Sequence, residues 1–132
     1  MPKTIIASKK LDYKLLIVDD NTSNNLLLEK ILKLNGFIHI KTCVDSRNVV
    51  ELCQTYWPDL LILDFRMPYL DGFDVINQLH AKNIHTIPII MLSAEDDKFY
   101  YEKALQSGAQ DFITKPFNFS EIIFKVKSCL FI

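Results

Sequence analysis

The runs KLLIV (14–18), DLLIL (59–63) and PIIML (88–92) are apolar at nearly every position, whereas a strand with one wet face would alternate. Strands of this kind must be covered on both sides. Two more strand-like runs, FIHIKTC (37–43) and QDFIT (110–114), bring the set to five. Longer stretches with apolar residues at helical spacing lie between them. Residues 24–35 place Leu27, Leu28, Ile31, Leu32 and Leu34 on a broad apolar face, and the last segment does so with Ile122, Ile123, Val126, Cys129 and Leu130. In the fourth helix, DDKFYYEKALQ, Ala104 and Leu105 are expected to face the core, and at least one of Phe99, Tyr100 and Tyr101 to stay exposed. Asn35-Gly36, Trp57-Pro58 and Ser107-Gly108 read as helix stops; Asp45-Ser46, Asp71-Gly72 and Asn118 or Ser120 read as starts. Five strands in strict alternation with five helices specify an α/β fold, a doubly wound parallel sheet.

The 132 residues suffice for one domain. Residues 1–12 read as a polar, lysine-bearing mobile leader and 13–132 as the folded unit. A net charge of −1 argues against a generic nucleic-acid binder, which needs an excess of cations. Cys43, Cys53 and Cys129, like His39, His80 and His85, lack metal-ligand spacing, and the thiols read as buried and reduced. No apolar run approaches the ~18 residues that cross a bilayer, and the N-terminus lacks the apolar core of a signal peptide. The expected location is cytoplasmic, with no membrane partner.

The chemistry gathers where the strands end. In an open parallel sheet, ligands bind beyond the carboxyl ends of the strands. Asp19-Asp20 follow the first strand, Asp64 the third, Ser93-Ala94 the fourth and Lys115-Pro116 the fifth. One polar residue at a strand end is ordinary; three acids, a hydroxyl and a lysine at four ends form a constellation. Two carboxylates about 4 Å apart repel by roughly 4 kcal/mol at an effective dielectric of about 20, a large share of a domain's net stability of about 5–15 kcal/mol. Lys115 offsets one charge, and a divalent cation offsets the others. An all-oxygen donor set suits Mg²⁺, with Mn²⁺ as the alternative ion, and cation plus lysine beside a carboxylate suits receipt of a phosphoryl group.

The segments LLIVDDN, LLILDFRMPYLDGFDV, IIMLSA and ITKPF resemble, in order and spacing, the motifs of CheY-like receiver domains of two-component response regulators, over about residues 13–131. The resemblance implies a flavodoxin-like (βα)5 sheet in the order 2-1-3-4-5. It implies Asp64 as phosphoacceptor, attacking a partner's phosphohistidine, with Asp20 and Asp64 as direct Mg²⁺ ligands. Asp19 would act mainly through a metal-bound water, and Arg66 through its backbone carbonyl. Ser93 and the Ala94 N–H would hold phosphoryl oxygens, Lys115 would pair with another, and Lys115-Pro116 would be cis. The implied donor is a sensor histidine kinase or a histidine phosphotransfer protein docking on the first helix. The implied output surface is the fourth helix, fifth strand and fifth helix, read by a downstream protein or a fused output domain, with no nucleic acid bound by this chain. Such a domain is a signalling phosphoacceptor with self-catalysed transfer and autodephosphorylation, not an enzyme in the ordinary sense.

Ser93 stands where threonine is more usual, and Phe112 where a tyrosine often toggles. Phenylalanine has no hydroxyl needing a partner, so this switch pair is expected to couple the ring more weakly to phosphorylation. Arg66 and Glu95, each two residues beyond a site residue, are expected to pair over the pocket and lengthen the phosphorylated lifetime. Two other readings compete. Mg²⁺-dependent phosphohydrolases carry D-x-D-x-[TV] after their first strand, but DDNTS lacks the second acid at that spacing. An unphosphorylated interaction module would not need all five site residues.

Overall fold

The computed structural model describes residues 10–94 and 98–132. In chain order these form β1 (Leu11–Val18), α1 (Thr22–Leu34), β2 (Phe37–Cys43), a 3₁₀ turn (Ser46–Asn48) and α2 (Val49–Tyr56). There follow β3 (Leu60–Asp64), α3 (Gly72–Ala81), β4 (Ile89–Ser93), α4 (Lys98–Ser107), β5 (Asp111–Thr114) and α5 (Phe119–Leu130). All strand pairs are parallel, and the sheet order is β2-β1-β3-β4-β5. The order reverses between β1 and β3, which opens a crevice beyond their carboxyl ends.

The strand residues divide by parity, as the period of two demands. Leu15, Ile17, Leu60, Ile62, Ile90, Leu92 and Ile113 pack against Leu28, Ile31 and Leu32 of α1 and Ile122, Val126 and Leu130 of α5. Leu16, Val18, Leu61, Leu63, Ile89, Met91 and Phe112 pack on the other side against α2, α3 and Ala104 of α4. Both faces are covered, which is why these strands carry no alternating polar residue.

Several expected helix signals hold. Asp71 and Asn118 cap α3 and α5 through side-chain oxygens that accept from Asp74 N and Glu121 N, and Asp45 accepts from Arg47 N at the 3₁₀ turn. α1 is capped by Asn21, which no start signal named, through a side-chain oxygen that accepts from Asn24 N. Asp71 and Asp74 satisfy each other's backbone N–H in a reciprocal box. At the stops, Gly36 and Gly108 adopt φ of 98° and 116°, and Trp57 does so at 47° ahead of Pro58.

Three expectations need correction. Leu27 and Leu34 do not join the buried face of α1; Leu34 is 76% exposed. At about 100° per residue, they project roughly 100–120° away from Leu28, beyond the arc that the sheet covers. On α4 Ala104 is fully buried but Leu105 is exposed, as are Phe99 and Tyr101. β1 begins at Leu11, whose N–H bonds Gly36 O at 2.8 Å, so residues 11 and 12 of the expected leader belong to the sheet. Residues 1–9 lie outside the described residues.

Candidate functional site

β1 and β3 are adjacent and parallel, with Val18 opposite Leu63. Their next residues, Asp19 and Asp64, therefore emerge side by side. Both are buried, at 1% and 3% exposure, while Asp20 is exposed. One carboxylate oxygen from each of Asp19, Asp20 and Asp64 lies within 4.8 Å of the others. Three hard carboxylate oxygens gathered this closely, two of them on buried residues, are the kind of donor that Mg²⁺ takes, and they leave further positions for water and phosphate.

Lys115 arrives from the end of β5, where its N–H bonds Ser93 O at 2.7 Å and its peptide to Pro116 is cis, as expected. Its Nζ stands 3.0 Å from Asp19 Oδ2 and 3.0 Å from Asp64 Oδ1. Burial works against the ammonium, but hydrogen bonds to Asp64 and Asp19 outweigh it and hold the amine above its usual value. For Asp64 the balance runs the other way. Burial, with the nearby charges of Asp19 and Asp20, pushes its carboxyl up to about 6 against the pull of Lys115. A buried acid that resists ionisation is one that a cation would help.

Ser93 ends β4, buried at 2% exposure and paired in register with Thr114; Ala94 follows it, exposed. Asp64 is opposite Leu92, one residue short of Ser93. The structure thus brings Asp19, Asp20, Asp64, Ser93, Ala94 and Lys115 to one rim. Gly72 explains the glycine of the D-G pair: a Cβ there would stand 2.5 Å from Met91 Sδ and 3.2 Å from Asp64 O. Only a hydrogen lets α3 start this close to β3 and β4.

The chain carries the signature of a known family. The sequence model of the response regulator receiver domain matches residues 15–127. The chain belongs to the response-regulator receiver family. It is 37% identical over 120 residues to the alkaline phosphatase synthesis transcriptional regulatory protein PhoP of Bacillus subtilis, a match covering 91% of this chain and 49% of that protein. It spans about half the length of the curated relatives it matches. Among solved structures, the receiver domain of the Francisella response regulator 1452 superposes with a TM-score of 0.83 at 32% identity, covering 89% of this chain and 96% of that one. A response regulator from Chloroflexus aurantiacus gives a TM-score of 0.85 at 28% identity, covering 92% and 100%.

Within this receiver, the remaining expected residues are placed as follows. Arg66 is exposed; its Nη2 lies 3.5 Å from Tyr100 Oη, and its guanidinium carbon 5.8 Å from that ring's centre. Glu95 lies outside the described residues, and with it the expected Arg66–Glu95 pair. Phe112 is buried at 6% exposure and stacks on Tyr101, centroids 5.7 Å apart and planes 4° from parallel.

Other contributors escaped sequence reasoning. Asn24 Nδ2 donates to Asp19 Oδ2 at 3.1 Å, and the Asn21 N–H to Asp19 Oδ1 at 2.9 Å. Asn25, 2% exposed, donates to both Asp19 O (2.9 Å) and Cys43 O (3.3 Å), tying the ends of β1 and β2 together. Its Oδ1 is buried with no hydrogen-bond partner among the described residues. A signal existed: Asn25 sits three residues before Leu28, a polar residue in line with the buried stripe.

Proposed function

We propose that Asp64 accepts a phosphoryl group from a phosphohistidine presented by a sensor histidine kinase or a histidine phosphotransfer protein. An Asp64 carboxylate oxygen attacks phosphorus, the N–P bond to the imidazole breaks, and its electron pair returns to the imidazole nitrogen. The acyl phosphate that results is later hydrolysed by water, releasing inorganic phosphate and restoring the carboxylate. The observation that carries this reading is Lys115 Nζ at 3.0 Å from both Asp64 and Asp19, inside a cluster of three acids.

Asp20, Asp64 and the Arg66 carbonyl would hold Mg²⁺ (or Mn²⁺), with Asp19 acting through a water. Bound there, the ion supplies charge neutralisation for the developing phosphoryl anion. Lys115 keeps its proton and offers the ammonium to a phosphoryl oxygen, while the Ser93 hydroxyl and the Ala94 N–H donate to the others. Arg66 shields the mouth against the hydrolytic water. Ser93 and Phe112 form the switch pair, and the Phe112–Tyr101 stack links strand β5 to α4.

The donor docks on α1 over the site. The output surface is α4, β5 and α5, where Phe99, Tyr101, Leu105 and Phe124 are exposed large apolar side chains, candidates for contact anchors. A downstream protein or a fused output domain reads it in the cytoplasm. Residues 11–132 form the receiver unit, since Leu11 already bonds Gly36. Among the described residues no helix is long and apolar enough to cross a membrane.

The test uses acetyl phosphate as donor and intact-mass spectrometry as readout. One phosphoryl adduct forms with Mg²⁺, and none forms in EDTA or in Asp64→Asn. Persistence of the adduct in Asp64→Asn, or its formation without a divalent cation, refutes the assignment.

A further inference from the structure

The loop between β3 and α3, residues 65–71, carries the Arg66 carbonyl. Its ends are fastened by its own strands and helix: Phe65 N bonds Leu92 O at 2.8 Å, and Gly72 N bonds Phe65 O at 2.8 Å. Its middle is gripped by a different part of the chain. Ser46, 2% exposed on the 3₁₀ turn after β2, donates its hydroxyl to Pro68 O at 2.7 Å and accepts from Leu70 N at 3.1 Å. The proton and one lone pair of this buried hydroxyl are thus spent on the same loop. The next residue, Arg47, lays its guanidinium 3.6 Å from the centre of the Tyr69 ring. Asp45 fixes that guanidinium, accepting from Nε at 3.1 Å and from Nη2 at 2.9 Å. Two adjacent residues therefore hold three consecutive ones.

The grip has a reason in Tyr69 itself. Its φ is 73°, the left-handed region that side chains other than glycine's avoid. Left alone, Tyr69 would relax toward negative φ. Arg66 lies only two positions before Pro68, so such a change reaches the peptide whose carbonyl the proposed function assigns to the cation.

We propose that Ser46 and Arg47 are positioning residues, a clamp that keeps the Arg66 carbonyl aimed at the cation site and so sets metal affinity. The inference rests on the Mg²⁺ reading above. It assigns to the β2–α2 connection a part in phosphotransfer although none of its residues stands among the acids. Partners one step removed from metal ligands commonly change affinity by about 10–100-fold. A clamp acting through two residues of loop gives about 3- to 10-fold.

The measurement is calorimetric titration of Mg²⁺ into the whole unphosphorylated chain. Ser46→Ala and Arg47→Ala each raise the Kd by about 3- to 10-fold, and because Arg47 is a surface side chain its removal leaves the protein folded. Tyr69→Gly, free to adopt positive φ, shrinks the effect of Arg47→Ala in the double variant. Thermal melting is recorded alongside. A lowered Tm with an unchanged Mg²⁺ Kd in both single variants shows a merely structural contact and overturns the clamp. A wild-type protein that binds no Mg²⁺ overturns the metal reading first and the clamp with it.

Discussion

Leu60, Leu61, Ile62 and Leu63 of β3 are buried among apolar neighbours on both sides of the sheet, and Asp64, the next residue, is buried almost as completely. The same strand geometry serves both, but the energetic consequences have opposite sign. Each leucine or isoleucine gains about 1.5–3 kcal/mol by leaving water. The Asp64 carboxylate loses hydration, faces Asp19 and Asp20, and is compensated in part by a shared lysine. The interior of the sheet is thus built for stability and its carboxyl rim against it. The difference teaches that burial by itself does not stabilise: the fold gives up stability at the rim, as folds do at sites kept for chemistry.

The largest effect belongs to the interior. Leu61→Ala removes a fully buried side chain between β1 and β4 and lowers unfolding stability by about 2–5 kcal/mol, measured by urea denaturation. A loss below 1 kcal/mol would erase the contrast. Next comes the rim, with the opposite sign. Asp64's carboxyl titrates near 6 in the folded protein, above the usual 3.8, so its protonated form favours folding. That contribution is full below about pH 4 and lost once pH rises through about 6. Asp64→Asn is therefore more stable than wild type at pH 7.5, by on the order of 1–3 kcal/mol, and indistinguishable at pH 3.5. Thermal melts across this range decide it, and a destabilised Asn variant at pH 7.5 would break the comparison. The smallest effect is that of the ion. Mg²⁺ at ten times its Kd adds about 1.4 kcal/mol to wild type, seen as a raised Tm, and adds nothing to Asp20→Asn.

Much of this was legible before any coordinates. Period and burial are local signals, so KLLIV, DLLIL and PIIML declared themselves as two-sided strands, and Asp71, Asn118 and Gly36 marked helix boundaries through backbone chemistry at the site itself. The acids were legible for the same reason: each stands one or two steps past a recognisable apolar run. What escaped depends on neighbours far along the chain. Leu34 and Leu105 satisfy a helical pattern, but only the width of the facing sheet decides that they lie outside it. Ser46 meets Pro68 across 22 residues, and nothing in DSRN predicts which loop that hydroxyl will find. Tyr69 reads as an ordinary loop residue until its φ is known.

Lys115 has one further consequence. Because its ammonium touches two carboxylates on different strands, discharging Asp64 does not set it loose; the Asp19 contact survives. The end of β5 thus stays moored to the end of β1 across two intervening strands, and a change of charge at Asp64 alters the tension on that mooring without cutting it.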